Sequence, residues 1–429
     1  MNLPDLPRRV SRLLRRFLKR PSLDLRRIPD PRSKQGGPRP LLPLLNLMFV
    51  GMLSARPHLR AVEALSDRLV GKWGRLPGPD RRVSDTVFAE LIPRLDPEPW
   101  AAVLRSQIIE MKRRDEISPD GLPCGVLAVD GKNLATLTYQ ATPAGQKQEQ
   151  GGHVVYLMRA VRTVLTSARS KPCIAQRMIP AETNDMGVFA DFFAQLLASF
   201  GASNLFEILT MDAGFTSLAN ARLVHDANYG FVLGVKGNQA TLLAEMEEAF
   251  ADERGRRPDA RTGWEVRSGG HIRRTFWRQT KLPDAGEWEP LLRQAWCVLQ
   301  ETRVGDTITR EYRYFVSNVP VGRLTASQCL AIVRGHWGIE NDSNWSADVT
   351  WREDSGPWSC KGNAVETLGL LRMIAYNLLQ LARKRYLPSP LPAGGRGKPT
   401  PWSDPIDLIR EAVALGALAP DNGPPLAPT

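Results

Sequence analysis

Between residues 125 and 235 the hydrophobic pattern changes period in a fixed order, and that order restricts the fold more than any other feature of the 429-residue chain. Apolar runs at 125–129, 154–166 and 173–180 have the length and β-branched content of strands. A helical period at 186–200, a strand at 205–211, a helix at 216–227 and a strand at 231–235 follow. Three strands, helix, strand, helix, strand predicts an α/β class in which a mixed sheet carries helices on its faces. Two of the runs close on an aspartate, in Val129-Asp-Gly-Lys132 and Thr210-Met-Asp-Ala-Gly214.

A third acidic position lies far downstream, in Arg334-Gly-His-Trp-Gly-Ile-Glu-Asn341. Thr325-Ala-Ser-Gln328 reads as a capping box, with Thr325 as N-cap. A helix starting there would place His336, Trp337 and Glu340 on neighbouring turns of one side, with Asn344 and Asp348 extending the polar stripe. Asp130, Asp212 and Glu340 are therefore candidate ligands of Mg²⁺, with Mn²⁺ as a substitute. Hard cations take carboxylate oxygens, and a few carboxylates leave room for phosphate oxygens and water.

Each residue also has a plainer reading. Aspartate before Gly or Ala-Gly is good turn chemistry, and Glu340 could be a solvated helix residue. His336 and Glu340 at i, i+4 could ligate zinc, but the five histidines offer no second one nearby. Asp348, Glu353 and Asp354 are substitute ligands by type, the last two read as surface residues. Lys132, Lys236 and Asn238 are candidate DNA contacts, with an ordinary turn as the alternative. Trp337, Trp345, Trp351 and Trp358 read as core in the main, although one could stack on a displaced base.

Composition sets the surroundings. The apolar content of 42% and charged content of 24% are those of a globular chain too long for one ordinary core. The formal net charge is +12, and residues 1–40 hold twelve Lys/Arg against three Asp/Glu. That excess suggests a polyanionic partner, nucleic acid before membrane, and the basic amphipathic helix over 8–20 reads equally as a phosphate-contacting arm or as a solvated helix docked by its leucines. Five scattered cysteines without a C-x-x-C argue against a disulfide framework or zinc finger. The run 41–53, broken by Pro43 and Asn46, is too short to span a bilayer, and no signal-peptide core follows the basic start. The expected location is the bacterial cytoplasm, on the nucleoid when DNA is bound, without a membrane.

The expected organisation is a helical N-terminal domain with a basic arm at 1–115, a first core segment at 120–245 and a β-rich insertion at 246–322. The insertion shows hairpin turns at Gly269-Gly270 and Gly305-Asp306. The glutamate helix and a long amphipathic helix, 364–385, complete the core at 323–386. A Pro-rich linker and tail fill 387–429, with one further helix at 405–416.

The strand order is that of an RNase H-like core, and the motifs resemble a family. V-D-G-K, the second strand-end aspartate, the V-L-x-x-K-G-N-Q stretch at 232–239 and H-W-x-I-E-N resemble the DDE transposases of bacterial insertion sequences. The branch is the one that includes the H-repeat-associated proteins, within the wider group related to the IS-four elements. Asp30-Pro-Arg-Ser-Lys-Gln-Gly is similar to that branch's N-terminal opening, D-P-R-x-x-x-G. The resemblance implies Asp130, Asp212 and Glu340 as catalytic triad, two Mg²⁺ ions, and a DNA endonuclease and strand transferase acting on insertion-sequence ends. It also implies double-stranded DNA as partner, at element ends and target, and a homo-oligomer on DNA. The chain departs from the relatives at several positions: Val333, His336 and Ala347 stand where they carry tyrosine, arginine and lysine, Ala135 stands where arginine is common, and the second motif reads D-A-G-F-T rather than D-A-M-G. The resemblance implies that His336 replaces the arginine as a phosphate contact. A catalytically inactive, transposase-derived DNA-binding protein is the alternative.

Overall fold

The structure, a computed structural model, describes residues 20–32, 39–73, 76–267, 269–280, 285–386, 406–407 and 409–410. The predicted basic helix, Arg20 apart, lies outside these residues, as do 33–38 of the basic link, the linker 387–404 and most of the helix expected at 405–416.

Among the described residues the N-terminal α-helices are α1 (Leu41–Leu53), α2 (Leu59–Leu69), α3 (Asp85–Leu91) and α4 (Pro97–Arg113). Ser84 and Asp96 cap α3 and α4 through their side-chain oxygens. The sheet segment then supplies β1 (Val126–Leu137), β2 (Gln146–Gln150), β3 (His153–Leu165), β4 (Cys173–Met178), α5 (Asp185–Phe200), β5 (Ile208–Met211), α6 (Leu218–Asp226), β6 (Gly230–Val235) and α7 (Ala240–Ala249). The order β4-β3-β1-β5-β6, with β5 and β6 parallel to β1 and β3 antiparallel to it, is the RNase H-like arrangement. β2 is an added strand on the N-terminal half of β3.

Beyond β6 come β7 (Ala260–Arg261), β8 (Glu265–Arg267), β9 (Gly270–Gln279), β10 (Gln294–Val304) and β11 (Thr307–Ser317). β11 pairs antiparallel with β6, so these strands continue the same sheet rather than forming another. Both predicted hairpin turns are present: Arg267 pairs with Gly270 and Val304 with Thr307. Gly269 at φ 87° and Gly305 at φ 58° adopt the left-handed backbone that such tight turns require.

Period-2 alternation sorts the strand residues onto two faces. Leu127, Val129, Leu209 and Met211 share a core with Phe189, Phe192 and Phe193 of α5. Val126, Ile208 and Val232 face the other way, onto Leu330, Ile332 and Val333 of α8 (Ala326–Gly338). The capping box forms as predicted, with Thr325 Oγ1 accepting from the Gln328 backbone and Gln328 Oε1 from the Thr325 N–H. α8 runs without a break through a π-helical segment, Ile339–Asn344, into α9 (Trp345–Trp351).

The last long helix, α10 (Ala364–Leu381), corrects an expectation. It is not amphipathic against solvent: nearly every side chain is buried, Arg372, Asn377 and Gln380 included. It packs against α1, α4 and β4, so the N-terminal helices and the sheet share one continuous core. Gln107 of α4 and Asn377 illustrate the polar stitching: Gln107 Nε2 donates to the Ile374 carbonyl and Asn377 Nδ2 to Gln107 Oε1. Residues 185–203 are, by length and composition, apolar enough to cross a membrane, yet the apolar face of α5 within them lies on the sheet.

Candidate active site

The parallel pairing of β1 with β5 stops at Val129 opposite Met211. The next residue on each strand is Asp130 and Asp212, so register alone puts both carboxyls side by side, on the face that α8 covers. Open α/β sheets present ligand sites beyond the carboxyl ends of parallel strands, and this is such a place. The sequence reading ended β1 at Asp130. The strand in fact continues to Leu137, held by β3 with Asp130 opposite Arg162, and only its β5 side opens.

Each aspartate is fixed differently. Asp212 caps the short turn Ala213–Phe215, its Oδ1 accepting from the Gly214 N–H at 3.0 Å. That turn is hooked to the next strand end, because Asn238 Nδ2 donates to the Ala213 carbonyl at 2.7 Å and Thr216 Oγ1 to the Gly234 carbonyl at 2.7 Å. Asp130 is buried and its Oδ2 accepts from Asn344 Nδ2 at 3.0 Å. Glu340 arrives from the opposite element, exposed, one turn before Asn344.

Asp130 lies within electrostatic reach of the other two. Burial first, then the charges of Asp212 and Glu340, push the Asp130 carboxyl up to about 7. Burial also raises Asp212, opposed by the Gly214 N–H and by Lys236. Among the described residues no three His, Cys, Asp or Glu side chains are drawn tightly enough to cage an ion unaided. Asp130 thus has Asp212, Glu340 and Asp185 as electrostatic neighbours.

Of the predicted DNA contacts, Lys236 is exposed beside Asp212, and Asn238 holds the Asp212 turn as described. Lys132 and His336 require correction. Lys132 is buried, with its Nζ 2.5 Å from Asp348, so its charge is already neutralised. His336 is buried on β5, its Nδ1 3.0 Å from Thr210 Oγ1. Burial, with Lys236 adding repulsion, pushes its imidazole down to about 4, so it carries no charge for a phosphate at neutral pH.

The pairs Asn344 with Asp130 and Asp348 with Lys132 set the glutamate helix against β1. Strand residues two apart are separated by about 6.6 Å and helix residues four apart by about 6 Å, so both pairs fit at once. Glu353, read as a surface residue, is fully buried instead. Arg162 grips it with bonds of 2.6 and 2.7 Å and Arg372 adds one of 3.2 Å. Burial alone would raise its carboxyl; the two guanidiniums override that and hold it at about 2.

The tryptophans divide. Trp351 and Trp358 are buried, with their Nε1 atoms on the Met52 and Arg56 carbonyls. The Trp337 ring lies 4.3 Å from the Arg313 guanidinium and joins α8 to β11. Trp345 is 53% exposed.

One residue escaped the sequence reading. Asp185, at the start of α5, adds its charge to Asp130 and Asp212. Its Oδ2 pairs with Arg159 at 2.5 Å, and its Oδ1 is buried without a partner among the described residues. A Cβ at Gly131 would meet that Oδ1 at 2.0 Å, which explains why glycine follows Asp130. An acid in a helix's first turn is too common to have marked it from sequence.

The α/β core has RNase H-like order, with Asp130 and Asp212 at neighbouring strand positions, and sequence comparison places the chain in a family. The family described as "Transposase DDE domain" matches residues 124–378, and the chain belongs to that family. Similar proteins include "Putative protein YbfL" of Escherichia coli K12, 28% identical over 187 residues, and "H repeat-associated putative transposase YhhI" of the same strain, 27% identical over 188. "Putative transposase YncI" of Escherichia coli O157:H7 is 26% identical over 184. Each alignment takes in 40% of this chain, and the chain spans just under half of the relatives: 47%, 47% and 45% of their lengths. Among solved structures, a piggyBac transposase synaptic complex with hairpin DNA aligns with a TM-score of 0.45 at 12% identity, over 97% of this chain and 86% of that one.

Proposed function

We propose that the chain is a DNA transposase that cuts at insertion-sequence ends and transfers the freed 3′-OH into target DNA, using a divalent cation held by Asp130, Asp212 and Glu340. The observation that carries this is the Asp130–Asp212 pair at the open end of the β1–β5 pairing, with Glu340 close enough to raise Asp130. Mg²⁺, with Mn²⁺ as substitute, fits the donor set: hard carboxylate oxygens whose mutual repulsion a cation relieves, beside an orphaned amide oxygen on Asn344. Bound there, the cation would activate the attacking oxygen and stabilise the departing one.

The protein's own groups have separate tasks. Asp130, on a continuous strand, gives the site a rigid wall, and the Asp212 turn, tied to the strand end after β6, fixes the second. Glu340, exposed on the π segment, supplies the third carboxylate from the helix side. Lys236 is the phosphate contact we retain. Double-stranded DNA is the partner, with residues 1–115 and the basic arm as the binding region, 120–245 and 323–386 as the catalytic core and 246–322 as its insertion. Paired element ends call for a homo-oligomer on DNA, acting in the bacterial cytoplasm.

The test is cleavage of a supercoiled plasmid carrying the chain's own flanking DNA, with Mg²⁺, by wild type and Asp212→Ala. Cuts at a repeat boundary made only by wild type support the reading. DNA binding without cleavage by either protein, in Mg²⁺ and Mn²⁺, would make it an inactive DNA-binding relative.

A further inference from the structure

Asn344 ends the π segment one turn beyond Glu340, and the triad gives it no task. It is 8% exposed, and its Nδ2 donates to Asp130 Oδ2 at 3.0 Å. That bond selects one orientation of the carboxyl and occupies one of its oxygens. With the carboxyl ionised, as it must be to hold a cation, it also selects the orientation of the amide, because the reversed one would set an oxygen against the Asp130 oxygen.

So oriented, the amide leaves its own oxygen without a donor. Asn344 Oδ1 is buried and has no hydrogen-bond partner among the described residues. A buried carbonyl oxygen is normally satisfied, and the orphan here sits on the residue that touches Asp130, the centre of the carboxyl cluster. Carboxylates have no proton to offer it when ionised. A hard cation would satisfy it, and amide oxygens join carboxylates as ordinary ligands of such ions.

The placement is also held from outside the cluster. One turn on, Asp348 pairs with Lys132 of the same strand at 2.5 Å. On the opposite side of the segment, Lys171 Nζ donates to Asp342 Oδ2 at 2.7 Å, and Ser343 Oγ lies 3.0 Å from Cys173 Sγ. These contacts seat the π segment on the sheet with Asn344 over Asp130.

We propose that Asn344 belongs to the acidic site, its Nδ2 setting the Asp130 carboxyl and its Oδ1 serving as a fourth, uncharged oxygen donor to the divalent cation. This rests on reading the three carboxylates as a cation site.

Binding of Mn²⁺ to the metal-free, full-length protein, followed by electron paramagnetic resonance of the free ion, tests it without any DNA cleavage. Asn344→Ala should weaken Mn²⁺ affinity by about 10–100-fold. Asn344→Asp separates the two tasks, because an ionised carboxylate cannot donate to Asp130 but returns an oxygen donor. It should bind Mn²⁺ at least as tightly as wild type if Oδ1 is a ligand, and no better than Asn344→Ala if the residue only donates. Circular dichroism of both variants checks folding, and the affinity of Asn344→Asp guards against a loss caused by unfolding. Wild-type binding that Asp212→Ala abolishes and Asn344→Ala leaves unchanged overturns the Asn344 role alone. A wild-type protein that takes up no Mn²⁺ overturns the cation site and this inference together.

Discussion

Without metal, the Asp130→Asn protein should be more stable than wild type at pH 8 and no more stable at pH 4. The Asp130 carboxyl ionises near its ordinary 3.8 in the unfolded chain and at about 7 in the folded one, chiefly because it is buried and faces Asp212 and Glu340. Folded protein therefore favours the protonated acid. The associated stability is fully present below about pH 4 and is lost as the pH rises towards 7. A difference of about three units at about 1.4 kcal/mol each amounts to ~4 kcal/mol above pH 7. Asparagine is nearly isosteric, cannot ionise, and keeps an oxygen to accept from Asn344. Urea unfolding in EDTA, at intervals from pH 4 to 8, should show a wild-type penalty that grows through this window relative to Asp130→Asn. Saturating Mn²⁺ should erase the advantage of the variant. Parallel pH profiles for the two proteins would refute the claim that Asp130 is a buried member of a repelling cluster.

Four other outcomes follow from the geometry. Glu353→Gln should cost about 3–5 kcal/mol in urea unfolding, because it strands Arg162 and Arg372 in the core; a change below 1 kcal/mol would contradict the buried pairing. Lys236→Ala should weaken DNA binding at every sequence and reduce the slope of log affinity against log salt by about one. Lys132→Ala should leave that slope unchanged while lowering stability, since its partner is Asp348 and not phosphate. Gly131→Ala should destabilise by roughly 1–3 kcal/mol, as the new methyl meets Asp185 Oδ1, and Asp185→Ala should recover most of the loss.

The order of strands and helices was legible because each core strand carries an apolar run and α5 keeps a clear helical period. The same logic found Asp130 and Asp212, which sit where buried runs meet polar residues. It misjudged the length of β1, since polar Asp130, Gly131 and Lys132 read as a turn when only one edge of the strand opens. Pairing partners are not written in local sequence. Lys132 and His336 had the residue types of phosphate contacts, but Asp348 and Thr210 claim them from distant segments. Glu353 seemed exposed for want of any sign that Arg162 and Arg372 would enclose it. The stripe from Glu340 through Asn344 to Asp348 was readable from helical spacing, whereas the π turn within it was not.

The most direct measurement offers the protein a DNA end already cut to expose its 3′-OH, with a target plasmid and Mg²⁺. Joining would be followed for wild type and for Asp130→Asn, Asp212→Ala and Glu340→Gln, with DNA binding measured alongside. A single three-acid site predicts that wild type joins the ends and that each variant binds DNA as wild type does but joins none. Joining at the wild-type rate by any one of the three variants would contradict it.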